Sequence, residues 1–301
     1  MGQLPFIKMH GCGNDYVFID CFAAPAPPQP QPLAVQLSDR HTGIGSDGLV
    51  LMLPSKVADA RMQMFNSDGS EGAMCGNAIR CITMWLHQHH SPAQTSFRIE
   101  TQSRIVETSV IESHTAEQKA VVRVNMGPAS EARLNTNTSP SNANSAIRSA
   151  DALVRQTVVS NVMIAEKPVV ASCVSMGNPH AVIFVSTLDE INFAENGPAI
   201  EHHTLFPDRT NVEFVQVLDR HRAKVRVWER GSGETMACGS GACAVAVAGI
   251  AYGAFPDNQP VSIQMRGGVL QIEWPDRKNV FMQGPAEESF RGVVPTAFSG
   301  D

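Results

Sequence analysis

Two fifteen-residue segments of this chain repeat each other without a gap. Residues 61–75 read RMQMFNSDGSEGAMC and residues 224–238 read KVRVWERGSGETMAC, at a constant offset of 163 positions. In each copy apolar residues alternate with polar ones (Met62 and Met64; Val225 and Val227), and an aromatic follows (Phe65; Trp228). A Gly/Ser-containing turn comes next, and then Glu-x-x-x-Cys-Gly opens a run of small apolar residues. Period two followed by turn residues and an apolar run predicts strand, turn and helix, with a cysteine at or near each helix N-terminus. A weaker echo at offset 164 pairs Gly13-Asn14 with Gly177-Asn178. A unit present twice restricts the chain to folds built from two related halves. The 301 residues, about twice a typical domain of ~150, leave room for both.

The material between the repeats is mostly strand. Short alternating runs at 121–126, 181–185, 212–217 and 261–265 read as strands of about five residues. The helix expected at 239–252 is apolar on every side, so protein must surround it; the helix expected at 76–87 carries Ala78, Ile79, Ile82, Trp85 and Leu86. A mixed β-sheet or barrel wrapped around a central helix, made twice, satisfies both constraints. The expected fold class is therefore α+β with two pseudo-symmetric halves and the site in the cleft between them. The proline-rich stretch at 23–32 (AAPAPPQPQP) is expected to be a connector incompatible with helix or central strand, and residues 135–145 (NTNTSPSNANS) a polar domain linker or surface insertion.

Composition narrows the partners. With 23 Lys plus Arg against 29 Asp plus Glu, the net charge of -6 provides no global positive field for nucleic acid or an anionic membrane. Residues 235–255 carry no charge, but they are rich in Gly, Ala and Ser and suit a helix buried in protein better than a membrane span. MGQLPFIKMH at the start has no signal-peptide pattern, and seven cysteines, an odd number, are expected to be reduced thiols in the cytoplasm.

A helix N-terminus presents free N–H groups and a positive partial charge, which lower a thiol's pKa and attract a carboxylate. If the two halves face each other, Cys75 and Cys238 meet across one ligand, whose carboxylate the N–H groups of Gly76, Asn77, Gly239 and Ser240 would hold. One thiolate then removes a proton from one face of a carbon while the other thiol donates to the opposite face, and the stereocentre inverts. That chemistry needs no cofactor. A zinc site would want closer pairs than the five residues between Cys75 and Cys81 or the four between Cys238 and Cys243, and a Cys75–Cys238 disulfide would inactivate such a site. Cys12, Cys21, Cys81, Cys173 and Cys243 read as core residues. His87, His89 and His90 read as a solvated helix end.

The residues FIKMHGCGNDYVFID (6–20), RHTGIGSDG (40–48), FNSDGSEGAMCGNAIRC (65–81), GNPHAV (177–182), DRTNVEFVQV (208–217) and WERGSGETMACGSGACA (228–244) together resemble the diaminopimelate epimerase family, in the family's order and over nearly the whole chain. The resemblance implies a pyridoxal-independent isomerase that interconverts LL- and meso-diaminopimelate for lysine and peptidoglycan synthesis. It implies Cys75 and Cys238 as the acid/base thiols, and Gly76-Asn77 and Gly239-Ser240 as the cradle of the reacting carboxylate. Asn14, Asn66, Asn178, Asn211 and Arg230 match positions that bind the distal end, and Glu229 and His180 match polar residues beside the reacting centre. A homodimer with a small-molecule substrate, no metal and no cofactor is expected. The N-terminal half would span residues 1–127 plus 278–301, completed by a final strand near 279–283, and the C-terminal half 128–277.

Read alone, several of these residues admit plainer roles. Asn14 and Asn66 sit in turn-like contexts where asparagine is usually structural, Arg230 before Gly-Ser-Gly fits a solvated surface charge, and His180 fits a capping or core histidine. Two departures from the pattern stand out. Gly48 occupies a place where some members carry a glutamine, and Ser240 one where threonine is frequent.

Overall fold

The computed structural model describes residues 2–135, 153–164 and 166–295. Apart from Asn135, the polar segment at 135–145 lies outside the described residues. The chain forms two compact units, Met1–Asn125 with Gln283–Asp301, and Met126–Met282.

The first unit runs β1 (Gln3–Gly11), β2 (Asn14–Asp20), α1 (Pro30–Ser38), β3 (Gly48–Leu53), β4 (Ala60–Asn66), β5 (Glu71–Gly72), α2 (Gly76–Trp85), β6 (Ser96–Glu100), β7 (Ile105–His114) and β8 (Lys119–Pro128). The second runs β9 (Arg155–Ile164), β10 (Lys167–Ser175), β11 (Pro179–Val185), α3 (Phe193–Glu201), β12 (Asn211–Asp219), β13 (Arg222–Glu229), β14 (Gly233–Thr235), α4 (Gly239–Ala251), β15 (Val261–Met265) and β16 (Gly268–Glu273). The long β17 (Asn279–Pro295) then returns to the first unit and pairs antiparallel with β1.

The repeat extends to strand pairing. In the first unit β1/β2 are antiparallel, β2/β3 parallel, β3/β4 antiparallel, β4/β6 parallel and β6/β7 antiparallel. The same alternation recurs in β10/β11, β11/β12, β12/β13, β13/β15 and β15/β16. A parallel pair needs a crossover, and among the described residues four α-helices supply them: α1 between β2 and β3, α2 between β4 and β6, α3 between β11 and β12, α4 between β13 and β15.

These crossovers lie on opposite faces of their sheets. Strand residues alternate faces, so Val17, Ile19, Leu49, Leu51 and Phe65 join Ala34 and Leu37 of α1 in one apolar cluster, and the other face is left for α2. In the first unit β1, β2, β3, β4, β6, β7, β8 and β17 close into an eight-stranded barrel. Every residue of α2 is buried. In the second unit Ala181, Ile183, Val212 and Phe214 pack with Phe193 and Ile200 of α3, whereas α4 lies against β10, β11, β12, β15 and β16. All of α4 but Ser240 is buried. An Ala/Gly-rich surface is what allows strands to approach a helix from all sides. None of the described helices is long and apolar enough to cross a membrane.

One expectation fails. The proline-rich stretch does not stay outside helix, because α1 begins at Pro30 and holds Pro32 in its first turn. Proline there forfeits only an N–H that has no intrahelical acceptor in any case. The helix after Cys75 also ends differently: α2 stops at Trp85 and a π-helical turn, Leu86–His90, carries the three histidines. His90 bonds Asp20 at 2.7 Å and His89 packs against Trp85 at a tilted ring angle of 43°.

Candidate active site

In the first unit, a two-residue turn joins β1 to β2 with Cys12 (φ 54°) and Gly13 (φ 76°) both left-handed, the conformation a tight right-twisted hairpin requires. It places Asn14 at the start of β2. The Asn14 Oδ1 accepts from Asn77 Nδ2 at 2.9 Å and from the Cys75 thiol at 3.5 Å, while its Nδ2 donates to Asp47 Oδ2 at 2.7 Å. Cys75 caps α2 in extended conformation (φ −135°, ψ 115°). The buried Tyr16 hydroxyl hydrogen bonds to both Cys75 and Asn14; burial, and then the neighbouring thiol, push its phenol well above the usual range. Gly48 is forced by packing, since a Cβ there would lie 2.1 Å from the Phe65 carbonyl oxygen and 3.1 Å from Tyr16 Cε1.

The second unit repeats the plan with different side chains. The β10–β11 turn, with Gly177 at φ 95°, presents Asn178. Its Nδ2 donates to Ser240 Oγ at 3.4 Å, and its Oδ1 lies 3.0 Å from His180 Nε2. His180 Nδ1 sits 2.7 Å from Glu213 Oε1, with both side chains fully buried. Cys238 caps α4 in extended conformation; its sulfur accepts from Gly241 N at 3.4 Å and lies 3.5 Å from Ser240 Oγ. Glu229 at the end of β13 accepts from Thr235 Oγ1 at 2.5 Å and hydrogen bonds to Cys238.

Electrostatics at Cys238 run opposite to the helix-terminus expectation. Burial, then the charges of Glu229 and Glu213, push this thiol well above its usual range, outweighing the hydrogen bonds from Ser240 and Gly241. Burial likewise raises the Glu229 carboxyl. Beyond each cysteine lies a helix first turn whose N–H groups have no intrahelical acceptor. The sequence model of the diaminopimelate epimerase family matches residues 6–131 and 172–288.

The chain belongs to the diaminopimelate epimerase family.

As a member of that family it is an isomerase, an amino-acid epimerase. A diaminopimelate epimerase of Pelotomaculum thermopropionicum is 45% identical over 291 residues, covering 96% of this chain and 98% of that protein. One from Bacillus cereus is 40% identical over 296 residues, with 97% and 98% covered. Solved structures share the fold at much lower identity. A phenazine biosynthesis protein of the PhzF family from Bacillus anthracis superposes with a TM-score of 0.69 at 14% identity, covering 98% of this chain and all of that one. A hydroxyproline epimerase from Agrobacterium vitis, solved with trans-4-hydroxy-L-proline, gives 0.62 at 13%, covering 97% and 91%.

The structure of this epimerase gathers Asn14, Cys75, Gly76 and Asn77 in one cluster, and Asn178, His180, Glu229, Cys238, Gly239 and Ser240 in another. Three candidates stand in other company. Asn66 turns its amide to Ser70 Oγ at 3.0 Å in the β4–β5 turn. Asn211 donates to the Pro179 carbonyl and accepts from Arg230 N, both at 3.0 Å. Arg230 donates to the Asp208 carbonyl at 2.9 Å. Tyr16, Asp47 and Glu213 are not among the residues expected from sequence. Glu213 had one visible signal: it is a charged residue in the apolar run Val212–Phe214, on the same strand face as Asn211.

Proposed function

We propose that this epimerase interconverts LL- and meso-2,6-diaminopimelate through a two-thiol proton transfer by Cys75 and Cys238, without pyridoxal phosphate. The Cys75 thiolate takes the α-proton, the C–H electron pair passes into the carboxylate, and Cys238 delivers its proton to the opposite face of the same carbon. In the reverse direction the thiols exchange roles. Backbone N–H groups of Gly76, Asn77, Gly239 and Ser240 would hold the carboxylate as it gains charge. Glu229 and His180 would face the reacting end, and Asn14, Asn66, Asn178 and Arg230 the distal amino-acid end, where the Arg230 fork suits a carboxylate. Asn211 would act chiefly by holding the backbone at Arg230. The product would serve lysine and peptidoglycan synthesis in the cytoplasm, and the working form would be a homodimer.

The observation that carries this reading is the duplicated strand-turn-helix unit, in which each copy ends on a cysteine that caps a buried helix. Purified protein given LL-diaminopimelate in deuterated water should form the meso isomer and incorporate deuterium at the α-carbon without added cofactor. Cys75→Ala and Cys238→Ala should each lower turnover by about 10²–10⁴-fold. Full turnover in either variant would defeat the two-thiol mechanism.

A further inference from the structure

Glu213 has no part in the mechanism above, yet it is a fully buried carboxylate at the N-terminal end of α4. Its Oε1 takes His180 Nδ1, while its Oε2 is buried with no hydrogen-bond partner. Its approach to the helix is so close that a Cβ on Gly241 would lie 2.7 Å from Oε1. From it a continuous chain of contacts runs His180, Asn178 Oδ1, Asn178 Nδ2, Ser240 Oγ and Cys238 Sγ, in steps of 2.7, 3.0, 3.4 and 3.5 Å between residues.

We infer that Glu213 is a positioning residue for epimerisation: it forms a buried ion pair with a doubly protonated His180, which fixes the direction of the Asn178 amide and, through Ser240, the hydrogen bonding of the Cys238 thiol. With the Asn178 amide in this orientation, both ring nitrogens of His180 face oxygen acceptors, and a ring with a proton on each nitrogen satisfies them together. A buried carboxylate also needs a compensating charge. The other titratable groups facing the pair are Glu229 on β13 and Cys238 at the start of α4, and neither is a cation. With Nε2–H donating to Oδ1, the Asn178 amide nitrogen must point to Ser240 and to the ligand. Without the second proton the amide reverses, and Asn178 offers its oxygen where the donor stood.

This inference rests on the two-thiol reading, and its test separates the two. Protein carrying ¹⁵N-histidine, with the His180 signal assigned by its loss in His180→Gln, should show two protonated ring nitrogens near pH 8 in the wild type and one in Glu213→Gln. The Glu213→Gln variant should lose about ten- to hundredfold in kcat/KM toward LL-diaminopimelate, the order seen when a carboxylate that orients a metal-bound histidine is removed, mainly through KM. In an Asn178→Ala background the same change should add less than about threefold, because the relay is already cut. A neutral wild-type ring overturns the inference even if Glu213→Gln fails to fold, and so does full additivity with Asn178→Ala. Wild-type protein that leaves diaminopimelate unchanged refutes the functional reading, while the ring signals still decide the ion pair.

Discussion

Glu201, at the end of α3, anchors the turn that carries Arg230, and its replacement by glutamine has a calculable cost. One carboxylate oxygen accepts from Trp228 Nε1 at 2.8 Å and the other from Gly231 N at 2.9 Å, with Glu201 only 3% exposed. Arg209 also reaches it, but that side chain is half in solvent and contributes little. In Glu201→Gln one oxygen becomes an NH₂ group facing an N–H donor, whichever way the amide turns. One hydrogen bond to a charged group is lost, about 1.5–3 kcal/mol, and the other weakens to a neutral one. The expected loss is about 3 kcal/mol. With an m value of about 2 kcal/mol/M, the urea midpoint read by tryptophan fluorescence should fall by about 1.5 M.

The effect has a defined pH dependence. Burial pushes the Glu201 carboxyl up, but hydrogen bonds from Trp228 and Gly231 outweigh it and hold the group below the usual range. A depressed folded-state pKa contributes stability above the unfolded value, roughly 4.3, and that stability disappears as pH falls through the folded value. The gap between wild type and Glu201→Gln should therefore be full at pH 7 and shrink below about pH 4. A midpoint shift under about 0.5 M at pH 7, or a gap that does not narrow in acid, would refute the hydrogen-bond reasoning.

Gly48→Ala should cost at least about 2 kcal/mol, because the new methyl group meets a backbone carbonyl that cannot move without shifting the β3/β4 register; an unchanged melting temperature would show that the strands yield freely. In a Cys75→Ala background, alkylation of Cys238 by iodoacetamide, followed by mass spectrometry, should become rapid only above the ordinary thiol range. Glu229→Gln should move that onset to lower pH, since it removes the larger of the two carboxylate charges that raise the thiol; an onset unmoved or moved upward would contradict this assignment.

Much of the architecture was legible because it is written in local patterns. Alternation in 224–228 and in 61–65 marks β13 and β4, the echo of Gly13-Asn14 in Gly177-Asn178 marks equivalent positions in the two units, and the apolar run after Cys238 marks a helix that must be enclosed. The start of α1 was not legible, since proline opposes helix everywhere except in the first turn, and nothing local says where that turn begins. Asn66 and Asn211 look alike as motif residues, yet one turns to Ser70 and the other holds the backbone at Pro179 and Arg230.

The sequence by itself determined that two related units each place a cysteine at the mouth of a helix, because strand period, turn glycines and helix capping act over a few neighbouring residues. Only the tertiary structure decided which groups govern those cysteines. Asp47 reaches Asn14, and Glu213 reaches His180, each across 33 residues and a parallel crossover. The state of the Cys238 thiol follows from burial beside Glu229 and Glu213. Strand register and desolvation are properties of the packed molecule, and they outweigh the helix-terminus effect that capping alone would predict.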